Sequence, residues 1–281
     1  MKTKHLRLMQ RAYVILFFCF MYLPIAYMVV FSFNQSKGYA LFTGFTFKWY
    51  TSLLHNESIL HALWVSLYLA LFSAVIATVL GTAASLGIAS MGRKSRLLVT
   101  NITYITTVNP EIITGISLMM LFVAYQRFAS ELDFLPDNIM GFPTLLIAHI
   151  AFNVPYVIFN VTPKLKQLDI KLFEAALDLG CTPIQAFFKV VIHEIMPGII
   201  SGAMMAFTMS LDDFVISYFV YGPQFVTLPV EIYNYTKKPL QPKIYALFTL
   251  LFLILLAAMI LWNLLQIRDE KRKLAQRAEQ S

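Results

Sequence analysis

Charge is scarce in this chain. Only 13% of its 281 residues are Asp, Glu, Lys or Arg, while 58% are hydrophobic. An ordinary soluble domain carries about 25% charged residues, so this composition belongs to a polytopic membrane protein. Acids are the rarer sign, 15 against 22 Lys and Arg. Cysteine is rarer still: Cys19 and Cys181 lie too far apart to suggest a disulfide framework. A G-x-x-x-x-G-K-[ST] phosphate loop is absent, so binding and hydrolysis of ATP are not expected of this chain. No Ser/His/Asp or metal-ligand constellation argues for an enzyme. The histidines at 5, 55, 61, 149 and 193 have no ligand spacing, and His149 reads as a hydrogen-bonded span residue. No metal site is expected, and no internal repeat or low-complexity segment is evident.

Long apolar runs are what the chain has instead. Six read as spans: Tyr13–Phe33, Ala62–Met91, Leu97–Tyr125, Phe142–Val161, Gly198–Tyr221 and Ile244–Ile267. At about 20 residues per crossing, six spans leave little length for a separate soluble domain. The expected fold is all-α, a six-helix polytopic membrane protein. Its parts are an anchor helix with an extracytoplasmic segment (1–61), a transmembrane core (62–266) with a loop at 162–197, and a basic tail (267–281). The first run is longer than a signal-peptide core and lacks a small-x-small site after it, so it reads as a retained anchor.

Basic residues set the expected orientation. Sixteen of the 22 fall on one side: four near the N-terminus, Arg93, Lys94 and Arg96, four in the 162–197 loop, and five in the tail. Lys37, Lys48, Arg127, Lys237, Lys238 and Lys243 fall on the other. The positive-inside rule makes the first side cytoplasmic, both termini included. The same asymmetry, with anionic lipid, accounts for the net charge of +7 without a nucleic-acid partner.

The cytoplasmic loop reads as two short helices. The first, about Leu168–Leu179, places Ile170, Phe173, Ala176 and Leu177 on one stripe. Gly180 is its breaker. Thr182 caps the second, with Pro183 at its first position, and that helix runs until Pro197 opens span five. Ala175 and Ala176 would let a partner approach the backbone, and Glu174 would pair with a partner arginine. On the residues alone, a docking surface and an amphipathic linker on the membrane stand about equal.

Three acids lie inside the apolar runs: Glu111, Asp212 and Asp213. A charge at mid-bilayer costs about 2.5–3.5 kcal/mol on insertion scales, so these side chains are not expected to face lipid. Counted from the cytoplasmic ends of their runs at Leu97 and Pro197, Glu111 and Asp212 both rise about 21–22 Å. Pro110 is expected to interrupt span three just before Glu111, and such breaks line cavities. Ser210, Asp213 and Ser217 share one helix face by spacing. Tyr218 and Trp49 are candidate wall aromatics. One reading is a cation pathway. The other is that the acids are protonated or serve structure at a partner subunit. Gly202, Ala206 and Ser210, four apart, favour close helix packing.

A resemblance then enters. Glu174-Ala175-Ala176, with Gly180 four residues beyond, resembles the EAA loop of ABC importer permeases. SLDDFVISYFVYGP at 210–223, LPVEIY at 228–233, FTFKWY at 45–50 and NPEIITGISL at 109–118 extend the likeness to the PotC-type permeases of spermidine/putrescine importers. It covers roughly residues 10–266. His193 departs from it, standing where that family carries proline.

The resemblance implies a type I importer permease in the bacterial inner membrane, a transport subunit and not an enzyme. It implies a homologous second permease, an ATPase dimer that alone holds ATP and magnesium, an extracytoplasmic polyamine-binding protein, and a polyamine cargo. Glu174, Ala175, Ala176 and Gly180 would couple to the ATPase. Glu111, Asp212, Asp213, Ser210, Ser217, Tyr218 and Trp49 would serve the pathway. Alternatives are an importer permease for another cation, or an ion-coupled secondary transporter using the same acids for protons.

Overall fold

The computed structural model describes residues 2–36, 41–130, 140–237 and 242–254, and positions 256, 257, 260 and 264 beyond them. Among these residues regular structure is helical, apart from two isolated β-bridges, Asn34 with Phe45 and Gly222 with Phe225. The chain divides into two units, Ser58–Tyr233 and a smaller one made of Met1–Glu57 with Asn234–Ser281.

The larger unit carries α3 (Glu57–Ser90), α4 (Arg93–Val108), α5 (Glu111–Ser130), α6 (Phe142–Gln167), α7 (Ile170–Asp178), α8 (Pro183–Ala186), α9 (Ile192–Asp212), α10 (Val215–Val220) and α11 (Leu228–Thr236), the ends of α3 and α11 reaching its boundary. Two apolar clusters organise it. Leu69, Phe122, Leu145, Ala148, Phe152, Ile216 and Val220 join α3, α5, α6 and α10. Ala74, Ala77, Val157, Val161, Ile195 and Ala206 join α3, α6 and α9.

Small residues let these helices approach. Gly198, Gly202, Ala206 and Ser210 form a buried stripe on α9, as the four-residue spacing predicts. A Cβ on Gly198 would lie 2.8 Å from the Asn160 carbonyl oxygen, and one on Gly202 would lie 3.2 Å from the Val157 Cα. Gly81 on α3 is tighter still, 2.6 Å from the Val157 Cβ. Apolar side chains gain little by leaving lipid for one another, so such close approach carries the association.

The smaller unit holds α1 (Lys2–Phe31), α2 (Lys48–Leu54) and an apolar helix α12 (Pro242–Ile254). Asn34 organises the segment between α1 and α2. Its amide donates to the Leu41 carbonyl at 2.9 Å, and its side-chain oxygen accepts from the Thr43 backbone N–H at 2.9 Å.

Among the described residues five helical runs are long and apolar enough to cross a membrane: Met9–Phe31, Glu57–Ser90, Glu111–Ser130, Phe142–Gln167 and Pro183–Asp212. The expected sixth span begins within α12, and its remainder lies largely outside the described residues. Lys37, Lys238 and the tail at 267–281 lie outside them as well.

Span five differs from expectation. Helical structure runs without interruption from Pro183 to Asp212, through a π turn at Phe187–Val191. Pro197 lies inside α9 rather than at its start. His193 has the backbone N–H that a proline lacks, so nothing at that position stops the chain from staying helical.

Candidate functional site

Two helix breaks build the site. The first is at Asn109–Pro110. Asn109 is extended (φ −65°, ψ 131°) and ends α4, as expected of a residue before proline. The Asn109 side-chain amide donates to Thr114 Oγ1 at 3.0 Å across the break. Glu111 is the first residue of α5 and is exposed. Its carboxylate therefore sits at a helix N-terminus, the favourable end of the helix dipole.

The second break is at Asp213–Phe214, where no glycine or proline announces it. Asp213 leaves α9 in an extended conformation (φ −62°, ψ 122°). Its carboxylate turns onto the start of α10. Oδ1 accepts from the Ile216 N–H at 3.2 Å and Oδ2 from the Ser217 N–H at 2.7 Å. Two donors that a helix start leaves open are thereby satisfied.

The breaks are adjacent in space. α10 packs on α5, with the Cβ position of Gly115 lying 2.9 Å from Phe219 Cδ2 and 3.4 Å from Ile216 Cα. Asp212 is exposed, whereas Asp213 is buried. Beside them Phe214, Tyr218 and Tyr233 form a ring cluster with centroids 4.8–5.6 Å apart.

Ser210, Asp213 and Ser217 do not lie on one helix face, because the break puts Ser210 on α9 and Ser217 on α10, yet all three side chains turn inward. They converge on His149. Ser210 Oγ is 2.6 Å from Nδ1, Ser217 Oγ is 3.0 Å from Nε2, and Asp213 Oδ2 is 3.5 Å from Nε2. Ser73 of α3 extends the chain, 2.9 Å from Ser210. All five side chains are buried. So the expected pathway residues separate into Glu111, Asp212 and Tyr218, which are at least partly open, and Ser210, Asp213 and Ser217, which are enclosed. His149 is hydrogen-bonded within its span, as expected, and it is the organiser of this cluster, a role the sequence did not assign. A lone imidazole within an apolar run was its only signal.

Trp49 is the other candidate wall aromatic. It lies in the smaller unit, buried, with its indole N–H donating to the Asn34 carbonyl at 2.6 Å. That bond supports a structural anchor of the segment between α1 and α2.

The loop carries a second candidate surface. Asp169 caps α7, its carboxylate accepting from the Lys171 N–H at 3.0 Å. The helix closes on Gly180 at φ +87°. Cys181 N–H donates to the Ala176 carbonyl and Gly180 N–H to the Leu177 carbonyl, at 3.0 and 2.9 Å, the paired bonds of a Schellman ending. Thr182 and Gln185 form a reciprocal capping box ahead of α8. Glu174 and Ala175 face outward, but Ala176 is buried, so only one of the two alanines offers its backbone to a neighbour. Leu179 and Phe188 are 86% and 64% exposed beside them.

Residues 77–271 match the family described as the binding-protein-dependent transport system inner membrane component. The chain belongs to this family. As an inner membrane component it is a multi-pass membrane protein and a transport subunit, not an enzyme. It is 34% identical over 266 residues to the spermidine/putrescine transport system permease protein PotC of Escherichia coli K12, covering 95% of this chain and 96% of PotC. It is 38% identical over 264 residues to the putrescine transport system permease protein PotI of the same strain, covering 93% of this chain and 92% of PotI.

Solved structures agree on the fold. A chain of a bacterial ABC transporter that imports the acidic polysaccharide alginate aligns over 94% of this inner membrane component and 96% of its own length. Its TM-score is 0.66 at 13% identity. A chain of the bacterial alginate transporter in complex with its alginate pentasaccharide-bound periplasmic protein gives 0.68 at 18% identity, over 90% and 93% of the two chains.

Proposed function

We propose that this chain is a permease subunit of an ATP-driven polyamine importer, taking up spermidine, putrescine or both. The observation that carries the reading is the pairing of two exposed acids, Glu111 and Asp212, at neighbouring helix breaks. Long identity with PotC and PotI supports it.

A polyamine presents ammonium groups separated by methylenes. It suits carboxylates set apart on different helices, with aromatic faces between them. Phe214, Tyr218 and Tyr233 offer such faces, and an ammonium over a ring gains about 0.5–2 kcal/mol. The acids hold the cation transiently, since conduction requires weak sites in series.

The partners are a homologous second permease, an ATPase dimer at the cytoplasmic face, and an extracytoplasmic binding protein. ATP and magnesium bind the ATPase. Both termini of the permease are cytoplasmic. Glu174, Ala175 and Gly180 present the outer face of α7 to the ATPase, while Ala176 seats α7 against the rest of the loop. ATP closure of the dimer moves the loop, and the helix running from Pro183 to Asp212 carries that movement to the acids.

Reconstitution tests this. The assembled importer in liposomes is expected to take up labelled spermidine or putrescine only with ATP and the ATPase. Uptake that survives loss of the ATPase but collapses with the proton gradient would mark a secondary transporter instead.

A further inference from the structure

Asp212 and Asp213 are neighbours in sequence and opposites in environment. Asp212 ends α9 exposed. Asp213 is buried, with both carboxylate oxygens occupied by backbone N–H groups of α10. The group behind it is His149, itself 1% exposed.

The hydrogen bonds around the ring have one consistent direction while Asp213 is ionised. A carboxylate only accepts, so the ring proton facing it sits on Nε2. Nδ1 of a neutral ring then accepts from the Ser210 hydroxyl, 2.6 Å away. The Ser210 oxygen is left to accept from Ser73 at 2.9 Å, nearer to that hydroxyl than its other acceptor, the Ala70 carbonyl at 3.3 Å. The chain Ser73–Ser210–His149 thus ends at Ser217 and Asp213, linking α3, α9, α6 and α10 at the break.

We propose that His149 is a positioning residue. It keeps Asp213 on the start of α10 and inside the protein, so that Asp212 alone of the pair meets a passing cation. Turning Asp213 outward would break two backbone hydrogen bonds in a low-dielectric interior and take the carboxylate from beside the imidazole. Holding α10 also fixes the distance between the two exposed acids. Gly115 lies against Ile216 and Phe219, so α10 sets where α5, and with it Glu111, can sit. The proposal rests on the cation-import reading above.

Thiol labelling of the assembled importer tests it. Cys19 and Cys181 are first replaced by serine, and Asp212→Cys or Asp213→Cys is introduced singly. The probe is a trimethylammonium methanethiosulfonate. Asp212→Cys is expected to react, and Asp213→Cys to stay unlabelled with or without ATP. Adding His149→Ala is expected to make Asp213→Cys reactive, whereas His149→Gln, which keeps a donor and an acceptor, leaves it protected. Should His149→Ala fail to assemble, Ser210→Ala with Ser217→Ala strips the ring of its hydroxyl partners and is expected to expose Asp213→Cys likewise.

Labelling of Asp213→Cys at the rate of Asp212→Cys with His149 intact would overturn the proposal. So would continued protection after the ring or its hydroxyl partners are removed from an assembled complex. Slowing of Asp212→Cys labelling by spermidine reads the cargo assignment separately. Protection of Asp213→Cys by His149 without that slowing would support the positioning role and count against the polyamine reading.

Discussion

His149 Nε2 stands 3.5 Å from Asp213 Oδ2, with both side chains almost wholly enclosed. The contact joins α6 to the gap between α9 and α10, where the main chain would otherwise leave donors unpaired. Replacing the ring by leucine takes the ring partner from the Ser217 hydroxyl, one of two partners from Ser210, and the imidazole from beside the Asp213 carboxylate. Each buried group left without a partner costs about 1–3 kcal/mol. His149→Leu is therefore expected to lower the melting temperature of the purified complex markedly, and His149→Gln to lower it less. Equal melting temperatures for the two would contradict the hydrogen-bonded role.

Asp213 is expected to tolerate amide better than methyl. Asp213→Asn keeps a side-chain oxygen to accept one N–H of α10, whereas Asp213→Ala keeps none. Loss of a cap costs about 0.5–2 kcal/mol. Complex assembly should survive in Asp213→Asn with reduced uptake, and both should fall further in Asp213→Ala. The check is the yield of assembled complex alongside uptake per complex.

Gly180 tests the loop. Its φ of +87° suits glycine, and a Cβ there would meet no atom within 4 Å. The cost of Gly180→Ala is thus backbone strain alone, about 1–2 kcal/mol. The Schellman ending of α7 loosens, and Glu174 and Ala175 lose their fixed bearing. We expect weaker recovery of the ATPase with the permease, or ATP hydrolysis without matching uptake. Unchanged recovery and unchanged uptake per ATP would remove Gly180 from coupling.

Gly81 tests the packing. A Cβ there would lie 2.6 Å from the Val157 Cβ and 3.1 Å from the Val154 carbonyl oxygen. Overpacking typically costs about 1–3 kcal/mol. Gly81→Val should lower thermal stability in detergent, while Gly87→Val, where no atom lies within 4 Å, should not cost stability through packing. Equal losses would mean that α3 and α6 can separate freely.

Much of this fold is legible in the sequence because strong local signals carry it. Pro110 breaks its span, Thr182 and Pro183 start a helix, and Gly180 ends one, each where its backbone chemistry dictates. The α9–α10 break is illegible by the same logic. Leu211-Asp212-Asp213-Phe214 has no breaker, and the turn exists because Asp213 finds two N–H groups and a buried imidazole across the fold. Pro197 misleads in the other direction, being absorbed within a continuous helix. Trp49 is a candidate wall aromatic by residue type, and its hydrogen bonding is not legible in the sequence. Its indole N–H is taken by Asn34, a backbone partner 15 residues away that spacing does not disclose.

The central claim is that Glu111 and Asp212 together receive a polycation. ATP-driven spermidine uptake by liposomes carrying Glu111→Gln, Asp212→Asn and the double variant tests it most directly. The account predicts that each single change cuts uptake about tenfold or more, equivalent to about 1.4 kcal/mol of lost stabilisation. It further predicts that the double variant is close to inactive while the complex still assembles and hydrolyses ATP. Uptake at the unaltered rate in the assembled double variant would contradict it.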